Sequence, residues 1–335
     1  MFNFNRNSRV LFSFLKERWS VCLTVAAYAI LLVSFTISLP AQTNAALAKE
    51  MVIVVNRNDP DSLSIGQHYA RQRGIPESRI LQLSAPIKET ITISEYAKTV
   101  ANPLLNALIE NKWVKGVKDG SKDAYGRERL SVSIHSIPFV VLIKGVPLRI
   151  ANDPLLLEES TANLSVQFRV NNGSVDGEIA LLLAPPQTSM TALVPNPYFE
   201  KSSISSTDAN RLLRVTRLDG PTKANVMNLI DRTLKAEEIG LMGRAYIDTG
   251  GPHAKGDEWI RAAGAIAEAA FFDVDYETSK RAMNHRDRLD APAIYMGWSC
   301  PHAQAQWRLP RLPAPPGASR FLLQHLPGSS CPCPY

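Results

Sequence analysis

Five short apolar runs, each ending in a small polar cluster, limit the folds open to this chain more than any other feature. Short apolar runs separated by helix-like stretches are typical of buried parallel strands. Alternation of such strands with helices predicts an α/β fold, with a mostly parallel sheet and helices on both faces. A three-layer sandwich with one inserted excursion fits this pattern. The runs are Met51–Val55, Phe139–Ile143, Leu212–Val215, Ala245–Ile247 and Ala293–Met296.

The polar clusters that follow these runs contain the candidate ligand-binding residues. In an open α/β sheet the ligand lies beyond the carboxyl ends of the strands, so we expect the clusters to share one edge of the sheet. The ligand that such a crevice predicts is a small molecule or a peptide. The candidates are Asn56, Arg57, Asp59, Lys144, Arg149, Arg217, Asp219 and Asp248.

Several candidates also have a structural interpretation. Asp59 and Asp219 either face the crevice or begin the helix that follows them, since Asp is common at helix starts. Arg57 either binds a carboxylate or phosphate of a ligand or pairs with Asp219 or Asp248. Lys144 either binds an anion or lies along apolar surface with its ammonium group in water.

The first 48 residues have the three-part pattern of a secretory signal. Basic residues precede the apolar stretch Val21–Leu39, and Ala46-Leu47-Ala48 offers a small-residue cleavage site. This pattern predicts export to the periplasm, the cell surface or the medium. The alternative is an uncleaved helix over residues 21–39 that anchors the protein, and this segment would then be its contact with the membrane.

The net charge of +6 lies at the two ends of the chain. Residues 1–48 and 291–335 each carry a net charge of +3, so residues 49–290 are neutral. Nucleic-acid binding needs a clustered basic face, and the neutral middle of the chain therefore predicts no nucleic-acid partner. Residues 23–299 contain no cysteine, which excludes a disulfide framework within that region.

The chain divides into a signal or anchor over residues 1–48, an α/β domain over 49–299 and a Pro- and Cys-rich tail over 300–335. Within the domain, residues 151–210 form a long excursion, and such segments carry function or an accessory hairpin. Residues 115–133 are charged and contain Gly and Ser, and they predict an exposed loop.

Two helix starts follow from local signals. Ser94 is predicted to cap a helix that runs through Asn111 and kinks at Pro103. Asp176 and Glu178 predict a second helix start, because acidic side chains are favourable at the positive end of the helix dipole. On a strand the two acids would instead form a pair of carboxylates on one face.

Seven motifs in order resemble a family of exported bacterial proteins of unknown function. The resemblance spans about residues 51–298, which is 248 of 335 positions. It implies export but no particular activity. The motifs are VVNRNDPDS (54–62), YARQRGIP (69–76), KGVPLRI (144–150), VDGEIALL (175–182), NPY (196–198), VTRLDGPT (215–222) and GRAYID (243–248).

The order of elements is also similar, more distantly, to the caspase-like cysteine peptidases, and to the gingipains in particular. Those enzymes place His-Gly after one strand and a Cys after the next. Here the relevant strand ends in Gly297-Trp298, so the resemblance transfers no catalytic pair. Cys300 and His302 are close in sequence, but neighbours two apart do not readily form the hydrogen bond that a Cys–His pair needs.

Residues 300–335 depart from the family pattern. They hold eight of the 23 prolines, three of the four cysteines and no acidic residue. We expect a frameshifted or truncated reading frame beyond about residue 299. Reading the gene in its other frames tests this expectation, because one of them should restore a periodic α/β pattern.

Together these observations favour an exported protein that binds a ligand or associates with a surface. The alternatives are a hydrolase of the caspase-like type, degenerate or intact, and a metal-assisted hydrolase. The metal alternative uses Asp59, Asp219, Asp248 and His253, whose side chains are of types that bind metals. The leading interpretation includes no cofactor and no metal, and it leaves open whether the protein is an enzyme.

Overall fold

The computed structural model describes residues 46–157, 162–163, 165, 169–184, 203, 205–251, 253–279, 290–299 and 319–324. Its strands are β1 (Met51–Asn56), β2 (Ile80–Leu83), β3 (Thr90–Ile91), β4 (Val114–Lys122), β5 (Glu128–His135), β6 (Phe139–Ile143), β7 (Arg149–Ile150), β8 (Gly173–Ser174), β9 (Arg214–Leu218), β10 (Arg244–Asp248), β11 (Asp273–Glu277), β12 (Pro292–Ser299) and β13 (Ser319–Gln324). Its helices are α1 (Ser62–Arg73), α2 (Ile93–Tyr96), α3 (Asn102–Glu110), α4 (Val175–Ala180), α5 (Ser206–Ala209), α6 (Lys223–Ile239) and α7 (Ala254–Ala269). Short 3-10 turns cover Glu77–Arg79 and Pro154–Leu156, and a π-helical turn, Ala97–Ala101, joins α2 to α3.

The first sheet contains four parallel strands in the order β2-β1-β6-β9. Val54 of β1 lies opposite Leu81 of β2 and Leu142 of β6. Leu142 in turn lies opposite Arg217 of β9. The carboxyl ends of all four strands therefore lie at the same edge of this sheet.

Both faces of the first sheet are covered, because its central strands are apolar on both sides. Val52 and Val54 belong to a core cluster with residues of the π-helical turn, α3 and α4. Ile53 and Val55 belong to a second cluster with residues of α1 and α6. These three layers confirm the predicted α/β fold, with helices on both faces of a mostly parallel sheet.

The second sheet also contains four parallel strands, in the order β11-β10-β12-β13. Helix α7 packs against β10, β11 and β12. The sequence predicted a single sheet for all five apolar runs, and the structure corrects this: three runs lie in the first sheet and two in the second. Apolar runs look alike whichever sheet they join, so the division could not be inferred from them.

The helix predicted to be capped by Ser94 is capped by Thr92 and begins at Ile93, so its start lies two residues earlier than predicted. Thr92 Oγ1 accepts a hydrogen bond from Glu95 N (3.1 Å), and Glu95 Oε2 accepts one from Thr92 N (2.8 Å), which is a capping box. The chain leaves α-helical geometry immediately before Pro103, where the π-helical turn lies. A proline removes one helical N–H and crowds the preceding turn, which accounts for the position of this irregularity.

Residues 115–133, predicted as a loop, belong to an antiparallel hairpin of β4 and β5. Most side chains of β4 are exposed, so no apolar alternation marks it as a strand. The hairpin tip is fixed to α3 by Asn102, whose Nδ2 donates to Gly126 O (2.9 Å) and whose Oδ1 accepts from Glu128 N (2.8 Å). The hairpin therefore covers the start of α3.

The excursion over residues 151–210 begins beside a small sheet in the order β3-β7-β8. Ser174 caps α4 by accepting a hydrogen bond from Gly177 N, and Asp176 and Glu178 lie in the first turn of this helix. The prediction that these two acids mark a helix start is confirmed.

None of the helices in the described parts of the chain is both long enough and apolar enough to cross a membrane. Apart from its last three residues, the predicted signal over 1–48 lies outside the described residues. The tail over 300–335 also lies outside them, except for β13, which pairs with β12.

Candidate functional site

The loops after β1, β2, β6 and β9 form the carboxyl edge of the first sheet, which we call the first rim. Backbone hydrogen bonds hold these loops together beyond the strands. Arg57 N donates to Leu83 O (2.8 Å), and Lys144 N donates to Leu218 O (2.9 Å). The first rim therefore brings together the candidates that follow β1, β6 and β9.

Asn56 is fully buried at the end of β1. Its Nδ2 donates to Ala85 O (3.1 Å) and Gly145 O (2.8 Å). Its Oδ1 accepts from Ala85 N (3.1 Å) and Asn58 N (3.2 Å). A side-chain amide has two donor hydrogens and two acceptor lone pairs, so these bonds use its full capacity. Asn56 ties three loops of the first rim together and has nothing left for a ligand.

Asp59 shapes the turn that leads from β1 into α1. Its Oδ1 accepts a hydrogen bond from Asp61 N (2.8 Å), and its backbone carbonyl accepts one from Ser62 N (3.2 Å). Its side chain lies directly against Gly145, where a Cβ would stand 2.6 Å from Asp59 Oδ2. Of the two roles predicted for Asp59, this geometry agrees with the one at the entry to the following helix.

Arg217 is the most heavily bonded cation of the first rim. Its Nε donates to Asp176 Oδ2 (3.0 Å) and its Nη2 to Asp176 Oδ1 (2.5 Å). Its Nη1 donates to Val146 O (2.7 Å) and its Nη2 to Pro147 O (3.0 Å). The side chain is only 12% exposed. Arg217 therefore joins β9, the turn after β6 and the start of α4.

The other candidates at or near this edge differ in how they are held. Asp219 Oδ1 accepts a hydrogen bond from Gly220 N (2.7 Å), and its Oδ2 lies 3.9 Å from Arg217 Nη1. Lys144 is half-buried. Arg149 belongs to β7, and its guanidinium pairs on the surface with Glu89 (2.7 Å).

Arg57 is exposed and lines a cavity of about 470 Å³ beside strand β2. Within the described parts of the chain, its guanidinium pairs with no carboxylate, so the predicted pairing with Asp219 or Asp248 is not found. The remaining wall of the cavity is mostly apolar. It consists of Ile80, Leu81, Gln82, Leu83, Pro103 and Ala107.

Asp248 lies at the carboxyl edge of the second sheet, apart from the other candidates, because β10 belongs to that sheet. It is buried, and its Oδ2 accepts a hydrogen bond from the Tyr295 hydroxyl (2.6 Å). The ring of His253 lies 6.0 Å from that of Trp298, centroid to centroid. The prediction that one common edge gathers Asp248 with Arg57 and Lys144 is corrected by the division into two sheets.

Sequence reasoning missed Asp257, which organises this second edge. Its Oδ1 accepts hydrogen bonds from Gly250 N (3.1 Å), Gly251 N (3.2 Å) and Trp298 Nε1 (2.7 Å). Adjacent glycine N–H groups before a helix can bind an anion, and here the chain supplies that anion itself. The available signal was an acid in the first turn of a helix that follows Gly-Gly.

A half-buried group of charges joins the hairpin tip to α4. Arg127 Nε donates to Asp123 Oδ2 (2.7 Å), and Arg127 Nη1 donates to Glu178 Oε2 (3.2 Å). Burial raises the pKa of Glu178, the Arg127 charge opposes that shift, and Asp123 adds to it. Burial also raises the pKa of Tyr96 well above its ordinary value. These side chains link the hairpin tip to α4.

Among the residues that the structure describes, no group of three or more His, Cys, Asp and Glu side chains could hold a metal ion. Of the four residues in the metal alternative, Asp59 and Asp219 belong to the first rim. Asp248 and His253 belong to the edge of the second sheet. Cys300 and His302 lie outside the described residues.

Comparisons of the chain with protein-family models, curated proteins and solved structures gave no match. The resemblances to an exported bacterial family and to the caspase-like peptidases therefore stay predictions. The class that the structure itself defines is an α/β protein with two parallel sheets.

Proposed function

We propose that this chain is a binding protein for a ligand that carries a carboxylate, and that Arg57 holds the carboxylate. The observation that carries the proposal is the position of Arg57, which lines a cavity of about 470 Å³ and has no ion-pair partner among the described residues. Ligand cavities are commonly about 300–1,000 Å³ and mostly apolar, with a few polar groups that fix orientation. Guanidinium groups bind carboxylates through charge-assisted hydrogen bonds.

The bonding of the other first-rim candidates supports the choice of Arg57. Asn56, Asp59 and Arg217 hold loops together, and their polar groups are engaged within the chain. Arg149 is paired with Glu89 on the surface. Lys144 also has no ion pair within the described residues, but Arg57 is the cation that lines the cavity.

Export through the N-terminal segment is part of the proposal. The basic and apolar pattern of residues 1–48 supports it. The ligand would then be met outside the cytoplasm, by a protein that is either released or anchored through residues 21–39. The neutral charge of residues 49–290 favours a small molecule or peptide over a nucleic acid as the partner.

The proposal is tested by titrating the full chain with N-acetylvaline, a small carboxylate with an apolar side chain, in a calorimeter. We expect measurable binding that falls by about tenfold or more in Arg57→Ala, since hydrogen bonds to charged groups contribute about 1.5–3 kcal/mol. The uncharged amide of N-acetylvaline should bind the unchanged protein about as weakly as N-acetylvaline itself binds the Arg57→Ala variant.

Arg149→Ala is the matched control, because it removes the same charge from an exposed ion pair elsewhere. It should bind N-acetylvaline as the unchanged protein does. Equal loss of affinity in both variants would mean that net charge, and not the cavity, attracts the ligand. Absence of any binding to the unchanged protein would also overturn the proposal.

A further inference from the structure

Strand β2 has an open edge, and the cavity lies along it. The sheet order places β2 at the end of the first sheet, with β1 as its one paired neighbour among the described strands. Leu83 O accepts a hydrogen bond from Arg57 N, so the backbone groups of Leu83 face β1. Successive residues of a strand turn these groups to opposite sides. The N–H and C=O of Gln82 therefore face outward, toward the cavity.

Helix α3 forms the opposite wall. Pro103 and Ala107 are four residues apart, hence neighbours on one face of the helix, and both line the cavity. The cavity is therefore a groove between the open edge of a strand and the side of a helix. Strand β2 has four residues, which corresponds to a length of ~13 Å in extended conformation. An extended peptide of about that length fits such a groove.

The charge at one end of the groove selects the direction of the peptide. Arg57 lies at the carboxyl end of β2, because its N–H binds the last carbonyl of that strand. A peptide running parallel to β2 brings its own carboxyl end to Arg57. An antiparallel peptide with a free amino end would instead bring an ammonium group there, which the guanidinium repels. A peptide in this direction would also match the four strands of the first sheet, which all run parallel to one another.

We propose that this groove binds the carboxyl-terminal end of an extended peptide, which adds to β2 as a parallel fifth strand and places its terminal carboxylate against Arg57. The inference rests on the proposed carboxylate-binding function of the same cavity. It adds the ligand class, namely the carboxyl terminus of another polypeptide, and the backbone recognition that holds it.

The test uses the full chain and a fluorescein-labelled hexapeptide of alternating threonine and valine that ends in a free valine carboxylate. Affinity is measured by fluorescence anisotropy in two variants of one position, Gln82→Ala and Gln82→Pro. Alanine keeps the outward N–H, whereas proline removes it. Proline is tolerated on an edge strand where the N–H faces away from the sheet, and circular dichroism would verify that this variant is folded.

We expect Gln82→Pro to bind the hexapeptide at least about tenfold more weakly than Gln82→Ala, since it lacks a backbone hydrogen bond and its ring obstructs the added strand. The amidated hexapeptide should bind the unchanged protein at least about tenfold more weakly than the free acid. In hydrogen exchange, the Gln82 amide should become protected when the free acid binds.

Equal affinity of the two Gln82 variants would overturn strand addition. If N-acetylvaline still bound the unchanged protein through Arg57 in that case, the proposed function would stand without the peptide. Equal affinity of the acid and the amide would refute the role of Arg57 in orienting the peptide. If neither N-acetylvaline nor the hexapeptide bound, both proposals would fail together.

Discussion

Gly145 follows β6 with a φ of +95°, and the side chain of Asp59 lies directly against it. Alanine at this position would meet two separate obstacles. A positive φ costs an L-residue about 1–2 kcal/mol, and the added methyl would stand 2.6 Å from Asp59 Cβ. Close packing of this kind typically costs a further ~1–3 kcal/mol.

We therefore expect Gly145→Ala to lower the free energy of unfolding by about 2–5 kcal/mol, measured by urea denaturation. Gly74→Ala is the matched control. Gly74 has a φ of +64° and open space around it, so it should show the backbone cost alone, about 1–2 kcal/mol. If the two variants were equally stable, the contact with Asp59 would add nothing to the loss of stability caused by Gly145→Ala.

At the scale of single residues, the sequence predicted where polar side chains follow strands but not which of them are already bonded. Asn56 and Arg57 are neighbours in one cluster, yet the first is saturated by four hydrogen bonds and the second lines a cavity. The partner of Arg217 is Asp176, 41 residues away. Such pairings depend on tertiary contacts that no local pattern records.

Between elements, the hairpin β4–β5 is joined to α4 by Arg127, which binds both Asp123 and Glu178. Because burial raises the pKa of Glu178, the carboxylate of Glu178 is protonated more readily in the folded chain than in the unfolded chain. Above the unfolded-state pKa of about 4.3 the folded chain therefore binds more protons. The free energy of unfolding then falls as pH rises through the folded-state pKa.

Glu178→Gln removes this pH dependence. Its free energy of unfolding, relative to that of the unchanged protein, should therefore increase between about pH 4.5 and pH 7. Urea denaturation at several pH values in this range measures the difference. A relative stability that decreases over this range would contradict the raised pKa.

Glu128→Gln is a control of opposite sign. Hydrogen bonding to Lys118 lowers the pKa of Glu128, so its charge stabilises the fold above the unfolded-state pKa and this contribution is lost on acidification. Relative to the unchanged protein, Glu128→Gln should therefore lose stability as pH rises from the folded-state pKa toward the unfolded-state pKa of about 4.3. Both variants shifting in the same direction would indicate a general charge effect.

Prediction at the level of elements depended on apolar content. The buried strands β1 and β6 were recognised because their side chains are apolar on both faces of the sheet. The hairpin β4–β5 was missed because β4 is almost entirely exposed and has few apolar side chains. Its partner β5 does alternate apolar and polar residues, at Leu130, Val132 and Ile134, and this strand signal was overlooked. The start of α2 was misplaced by two residues, because both Thr92 and Ser94 are acceptable caps.

For the whole molecule, the two core clusters meet across the first sheet, with β1 and β6 at its centre. Interior strands with helices on both sides open only when the sheet itself unfolds. We expect the amides of β1 and β6 to exchange with deuterium at least about a hundredfold more slowly than those of the exposed hairpin β4–β5. Comparable exchange in the two regions would show that the hairpin is part of the cooperative core.

The fold class was predictable because alternating apolar runs and helices leave few arrangements that bury both faces of a parallel sheet. The number of sheets was not, because hydrogen bonding between particular strands decides it. That division also separates Asp248 from the first rim, and so it determines which candidates can act on one ligand.

The π-helical turn over Ala97–Ala101 has a consequence for how such a chain can change over evolution. A turn of this kind contains one more residue than an α-helical turn. The extra residue is accommodated within the turn, so deleting it would restore a regular α-helical turn and leave the following helix on the same face. Pro103 and Ala107 would then stay opposite β2, and Arg57 would keep its place. A one-codon deletion in this stretch would thus spare the groove, which makes the π-helical turn a point where the length of the chain can vary at little structural cost.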